Sequence, residues 1–534
     1  MLLIQAKIAF VTGLLGGALA AIGPASVLHI TNKEISPDGF PRDTVLAGST
    51  FPGPLITANK GQNFNVHVFN DLKDTSMDTV TAVHWHGITQ HNTTWADGVA
   101  FVSQCPIVPG HSFHYQFNPG SQVGTYWYHS HYSTQYCDGL RGAIVIYDPE
   151  DPFGELYDVD NESTVITLAD WYHYLAPQKE SHSHPASTLI NGLGRYVNGT
   201  ADAPLAVVGV QAGNRYRFRL ISISCLPSFI FSIDGHNMNV IEADGEYTEP
   251  LLVDSINILA GQRYSVVVNA SQPVGNYWIR AQPILPLGTN TSIDTSFNGG
   301  LNSAILRYQG APVADPNSTF EDTLNPLVES NLHALVNPQA PGNPTPGGGD
   351  VDINLQVTLV PLPTDNTSFV YAMNGVTYDP PSVPTLLQIL NGNTDLLPNG
   401  TTYFLPRNKT IELSIPSGAS GGEHPVHLHG HAFSVVRSGG SDSYNFANPV
   451  RRDVVSMGGQ DSGSNLTIRF TTDNPGPWIF HCHIDWHLEE GFAIVFAEDA
   501  PDIEQANPVT QEWQNLCPIY NQYIQNHPSA SVTN

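Results

Sequence analysis

H-C-H-I-D-W-H-L-E-E-G-F, residues His481 to Phe492, sets a thiol between two imidazoles and places a third imidazole four positions further on. On a β-strand successive side chains point to opposite faces, so His481 and His483 share one face and Cys482 takes the other. Three consecutive residues can then serve two metal sites. Cys482, joined by His487 one turn later, offers the thiolate and imidazoles of a trigonal blue-copper centre. Electrons arriving at the sulfur would find covalently adjacent imidazoles leading to a second cluster on the far face. An isolated H-x-H is also compatible with a strand end that carries exposed histidines and nothing more.

The rest of the chain argues against that plainer reading. His84 and His86 stand in H-W-H-G, His129 and His131 in H-S-H, and His427 and His429 in H-P-V-H-L-H-G-H, which His424 opens. Ten imidazoles and one thiol are too many for one mononuclear site. Nitrogen-rich ligation without carboxylates suits copper or zinc better than calcium or magnesium, and the lone cysteine beside two histidines favours copper.

These four segments, with their surroundings H-S-H-Y-S-T-Q-Y-C-D-G-L-R-G and N-P-G-P-W, resemble the copper-binding signatures of the multicopper oxidases and look most like those of secreted fungal laccases. The resemblance runs over nearly the whole mature chain. It implies four coppers: a type 1 ion held by His424, Cys482 and His487, a type 2 ion held by His84 and His427, and a type 3 pair. One type 3 ion would take His86, His129 and His483, the other His131, His429 and His481. It also implies the reaction, in which phenols or aromatic amines lose single electrons through His487 while dioxygen takes four electrons and becomes water. Phe492 falls where other blue-copper proteins place an axial methionine. A phenyl ring cannot ligate, and loss of the axial donor raises the reduction potential.

Two acids stand out. By resemblance Asp97, in W-A-D-G, relays protons to the oxygen-reducing cluster. Asp485, just after H-C-H, is expected behind a ligand, fixing its orientation, although a turn or cap role fits it equally. His91, His111, His114, His173, His182, His184, His236 and His431 match no ligand position. His182 and His184 repeat the spacing, but S-H-S-H-P reads as a loop.

The chain departs from the family at the substrate side. Fungal laccases commonly carry an acid after the cysteine of S-C-x-P, where it can accept a phenolic proton; in S-I-S-C-L-P-S-F that position is Leu226, with Ser228 in place of a frequent asparagine. The stretch from Gln282 to Gly299 is longer than usual, and its Asp294 is the one acid it could offer. Leu226 and Ser228 are expected beside His487.

Met1 to Ala20 carry one charge, Lys7, and an apolar run that is too short to span a bilayer and ends in A-L-A, the small-x-small form of a signal-peptidase site. Export is therefore expected, with residues 1–20 removed as a signal peptide; a retained membrane anchor is the alternative. Five cysteines in an oxidising compartment leave one unpaired, and a ligand sulfur must be free, which makes it Cys482. The other four allow three pairings. The laccase resemblance selects Cys105 with Cys517 and Cys137 with Cys225. Ten N-x-S/T sequons fit a secreted glycoprotein.

A net charge of −28 with only 20 Lys plus Arg disfavours nucleic acid and anionic membranes as partners. The expected partners are dioxygen and small aromatic reductants, and the expected state is a monomer. Strand-like runs such as Asn63 to Val68, Val165 to Leu168, Arg215 to Leu220, Tyr264 to Val268, Thr410 to Ile415 and Leu466 to Phe470 alternate with Gly, Pro, Asn and Asp clusters, and helical periodicity is scarce. This predicts an all-β chain of sandwiches. Proline-rich breaks place domains at 21–151, 152–316 and 317–534, and Pro338 to Asp350 reads as a surface loop or flexible link. By resemblance the three are cupredoxin-like Greek-key β-sandwiches, with the trinuclear site between the first and the third.

A runner-up within the enzymes is a laccase-like oxidase that prefers another reductant, since the pocket acid is missing. A metal-ion oxidase would want acids around His487. A copper carrier would need only one cupredoxin domain and would leave eight histidines without a task.

Overall fold

The computed structural model describes residues 21–178, 184–200, 202–285, 294–362, 365–418, 423–459 and 463–527, and of 365–367 the backbone. Residues 1–20, expected to be a signal peptide, His182 and residues 286–293 of the altered loop lie outside them. Strands dominate, and they form three successive pairs of sheets. The six sequence runs above coincide with strands whose ends differ from them by no more than three residues.

Residues 25–147 build two four-stranded sheets. One runs Arg42–Ala47, Ala25–Ile35, Phe64–Asn70, Ser112–Phe117; the other runs Gly53–Asn59, Arg141–Tyr147, Gly124–Ser130, Val83–His86. Parallel pairing of Ala25–Ile35 with Phe64–Asn70 and of Gly53–Asn59 with Arg141–Tyr147 requires the chain to cross between sheets, as a Greek key does. Residues 165–308 form a six-stranded and a five-stranded sheet, and residues 351–498 two five-stranded sheets with an added hairpin, Val357–Leu362 with Asp365–Met373.

Strand Gly124–Ser130 is buried at every position, as is Gly476–Cys482. Half-buried strands alternate, as Phe64–Asn70 does, whereas a strand covered on both faces cannot leave a side for solvent. The histidine pairs are carried on or next to such doubly covered strands. That is why none of the ten is exposed.

Two features went beyond the sequence reading. The last element of the described residues is a 16-residue helix, Gln511–Asn526, capped by the Thr510 hydroxyl and tied by Cys517 to Cys105. Pro338 to Asp350 is a loop but not a flexible link: the carbonyls of Pro341, Asn343 and Thr345 all accept from the buried Arg469 guanidinium, at 2.9, 2.6 and 2.6 Å. The remaining cysteines pair as Cys137 with Cys225, and Cys482 stands free and buried.

Candidate metal centres

His424, Cys482 and His487 converge, each through one atom. The Nδ1 atoms of the two histidines are 3.1 Å apart and lie 3.6 and 3.5 Å from Cys482 Sγ. An ion with bonds of about 2.0 Å to nitrogen and about 2.3 Å to sulfur fits between them. Burial pushes the Cys482 thiol well above its ordinary value, so a thiolate there needs a bound cation to be stable. Phe492 is fully buried with its ring 5.3 Å from that of His424. Tyr371 stacks on Phe492 at 4.8 Å and lies 4.9 Å from the His487 ring. Nothing in the sequence marked Tyr371, which comes from the hairpin added to the third pair of sheets.

His487 lies on the short helix Asp485–Glu489, which turns the chain back toward Cys482. It is 9% exposed, while His424 and Cys482 are closed to solvent. Of the three, only His487 offers an edge to solvent.

On the other side of Cys482, eight histidines meet. Register sets them out: His84 pairs with His129 across one antiparallel ladder, and His427 with His481 across another. His86, His129 and His483 form one group, His131, His429 and His481 a second, and His84, His86 and His427 a third, with the ligand atoms of each within 4.8 Å of one another. Backbone oxygens fix the tautomers. Nδ1 of His84 donates to Asp97 O at 2.7 Å, of His129 to Ser130 O at 2.8 Å, of His427 to Asp453 O at 2.8 Å, and of His481 to Cys482 O at 2.9 Å. This leaves the opposite nitrogen of each ring as a lone pair.

Among the described residues those lone pairs find no donor. Nε2 of His84, His129, His131 and His427 is buried without a hydrogen-bond partner. His429 Nδ1 donates to Asp97 Oδ2 at 2.9 Å, so its Nε2 and that of His481, 3.2 Å apart, are two lone pairs aimed at each other. Leaving a buried polar atom unpaired costs about 1–3 kcal/mol. Repulsion of this kind is relieved by cations between the rings. Burial, and then the neighbouring histidines, hold His86, His129, His131, His427, His429 and His483 well below the ordinary imidazole value, and burial brings His481 down to about 3. Neutral rings are what a metal requires.

The surroundings hold these rings in place. Asp97, fully buried, bonds His429 and has its other oxygen 3.2 Å from His84 Nδ1. Asp453 was missed by the sequence reading. Its carboxylate meets Arg263 at 2.6 and 2.7 Å and lies 3.2 Å from His86 Nε2, while its carbonyl accepts from His427. A signal was present: Arg451-Arg452-Asp453 interrupts an apolar strand in a chain poor in cations. Gly261, at φ +85° and two residues before Arg263, brings its turn close to the cluster, where a Cβ would stand 2.9 Å from His483 and 3.2 Å from His86.

Asp485 is buried and opens the helix that bears His487, with its amide on Cys225 O at 3.0 Å. It also lines a narrow void shared with His129, His131, His481 and His483. Leu226 is buried in the large core, and its amide donates to Asp170 Oδ2 at 3.0 Å. That acid is committed to Arg141 at 3.0 Å and to the Tyr172 hydroxyl at 2.7 Å. Ser228 is half-buried and begins a strand opposite Ile284. The Asp294 carboxylate accepts the Ser296 amide at 2.8 Å. Of the histidines set aside, His173 bonds Asp38 at 2.8 Å, His236 the Tyr308 hydroxyl at 2.7 Å, and buried His431 pairs with Glu498 at 2.9 Å.

A cavity of about 470 Å³ opens beside His131, between Val99, Phe101 and the hairpin residues Val360 and Leu362.

Three models of the family described as multicopper oxidase match residues 29–151, 162–311 and 378–502. The chain is 57% identical over 517 residues to a laccase of Phlebia radiata, with 96% of each covered. It is 56% identical to laccase-2 of Trametes versicolor, covering 96% of this chain and 97% of that one. Among solved structures it is similar to a laccase from Botrytis aclada at 30% identity and TM-score 0.80, with 98% and 96% covered. Fet3p, a multicopper oxidase that functions in iron import, gives the same TM-score at 28% identity over 94% and 95% of the two chains.

Proposed function

The chain belongs to the multicopper oxidase family, and from that premise we propose a role for each residue of its metal centres. The fold is three cupredoxin-like β-sandwiches, and the activity is that of a laccase-type oxidase with four coppers, one type 1, one type 2 and a type 3 pair. His424, Cys482 and His487 would hold the type 1 ion, and His84 and His427 the type 2 ion. His86, His129 and His483 would take one type 3 ion, and His131, His429 and His481 the other. The coppers, when bound, supply single-electron acceptance at one site and four-electron reduction of dioxygen to water at the other.

The protein's own residues connect these chemistries. A small aromatic reductant meets the His487 edge, the one solvent-reaching imidazole of its group. From Cys482 the backbone leads one residue in each direction to His481 and His483. This alternation is the observation that carries the proposal. Asp97 holds His429 and His84 in their tautomers and is placed to pass protons inward. Asp485, its amide bonded to Cys225 O, starts the helix that carries His487 and so fixes that ligand's orientation. The cavity beside His131 gives dioxygen a way in and water a way out.

Domains at 21–151, 152–316 and 317–534 accord with the three pairs of sheets. Phenols and aromatic amines are the proposed reductants, with Leu226 and Ser228 on the pocket wall, and the proposed state is a secreted monomer. Among the described residues no helix is long and apolar enough to cross a membrane. Cys482→Ser tests the central assignment. It should abolish the visible thiolate-to-copper band and oxidase activity while leaving the other coppers largely bound; a variant that stays blue refutes it.

A further inference from the structure

His114, which the sequence left without a task, faces a second histidine and an acid from the far end of the chain. Strands Phe64–Asn70 and Ser112–Phe117 pair antiparallel with His67 directly opposite His114, and the two rings stack with centroids 3.5 Å apart. Glu512, in the first turn of the helix Gln511–Asn526, reaches across to them. Its carboxylate lies 3.2 and 3.1 Å from His114 Nδ1 and also accepts the His114 amide. One ligand atom from each of His67, His114 and Glu512 lies within 4.8 Å of the others. All three are partly exposed, at 37% for the His114 side chain and 38% for that of Glu512, so an ion can enter from solvent.

We propose that His67, His114 and Glu512 form a further binding site, separate from the oxidase centres, for a divalent late transition-metal ion that clamps the C-terminal helix to the first β-sandwich. Two imidazoles and a carboxylate with an open position form a set that takes Zn2+ and, more tightly, Cu2+. The stacked rings need only turn about their Cβ–Cγ bonds to aim one nitrogen each at a common centre. Ser112 Oγ, 2.8 Å from His67 Nε2, can hold that ring's other nitrogen. Burial, and next the adjacent His114, lower the His67 value, which favours the neutral ring that a metal needs. The chain's net charge of −28 draws cations to its surface.

The position has a structural use. The same helix is fastened to the first sandwich by the Cys105–Cys517 disulfide and by Trp513 Nε1 donating to Ser103 O at 2.8 Å. An ion at Glu512 would add a further clamp in the first turn, beside the Thr510 cap and the Trp513 bond.

Titration with Zn2+ of the untagged enzyme loaded to four coppers per chain, so that the weaker surface site starts empty, followed by calorimetry and by elemental analysis after gel filtration, tests the proposal. One Zn2+ per chain should bind without displacing copper, and the unfolding temperature should rise with Zn2+ concentration. His67→Asn and Glu512→Gln should each weaken that binding at least tenfold, with the visible band of the holoenzyme reporting that the fold is intact. Two outcomes overturn it: no Zn2+ retained by the parent enzyme at 100-fold excess, or equal retention by parent and both variants.

Discussion

Removal of the Asp97 side chain separates holding a ligand from moving a proton. In Asp97→Ala the charge-assisted bond from His429 Nδ1 to Oδ2, 2.9 Å long and fully buried, is lost. Such a bond contributes about 1.5–3 kcal/mol, which at about 1.4 kcal/mol per decade is roughly 10–150-fold in affinity. That range overlaps the roughly 10–100-fold typical when a residue behind a metal ligand is removed. The loss should be uneven. His84 donates to the Asp97 backbone oxygen, which the substitution keeps, so the ion between His84 and His427 should be retained better than the ion among His131, His429 and His481. Asp97→Asn keeps an acceptor for His429 but loses the carboxylate, so its copper should be nearly complete and its turnover low. Chelator competition with elemental analysis reads the affinities, paramagnetic resonance the mononuclear ions, and oxygen consumption the rate. Wild-type chelator resistance and rate in Asp97→Ala would refute the reasoning. Equal copper loss in Asn and Ala variants would assign the effect to charge rather than to the hydrogen bond.

Phe492→Met should lower the type 1 potential, because a thioether stabilises oxidised copper more than a phenyl ring does; a redox titration showing no fall would remove Phe492 from the axial position. Arg263→Met leaves the Asp453 carboxylate buried without its two-point partner and should destabilise the enzyme by about 3–5 kcal/mol in denaturant unfolding. A loss below about 1 kcal/mol would mean that Asp453 is held mainly by its other contacts. Leu226→Asp should raise kcat/KM for a phenol but not for a non-phenolic one-electron donor, since only the phenol has a proton to lose. Asp170 lies against the same backbone, so the new carboxyl would be raised in pKa and the gain would appear only on the alkaline side of the profile; equal change for both donors would displace position 226 from the pocket.

What the sequence shows and what it hides divide by the range of the interactions. Strand runs and H-x-H spacings are local: alternation on a single strand already separates Cys482 from His481 and His483, and the strands appear where the runs placed them. The final helix carried a local signal that the sequence reading passed over: Trp513, Leu516, Tyr520, Tyr523 and Ile524 recur at helical spacing behind Thr510, and the one contrary sign is Pro518 inside it. Asp453 and Arg263 are 190 positions apart and meet only once the second and third pairs of sheets have closed. His67, His114 and Glu512 are remote for the same reason, and no window along the chain contains all three. Tyr371 looks like any strand aromatic until its hairpin folds over His487. The histidine groups were therefore legible because each pair stands within three residues on or beside one strand, while the groups that surround them are written on the partners those strands acquire in the fold. A substitution that leaves every H-x-H intact can still disable the oxidase, and Arg263→Met is the case in which that consequence is measured most directly.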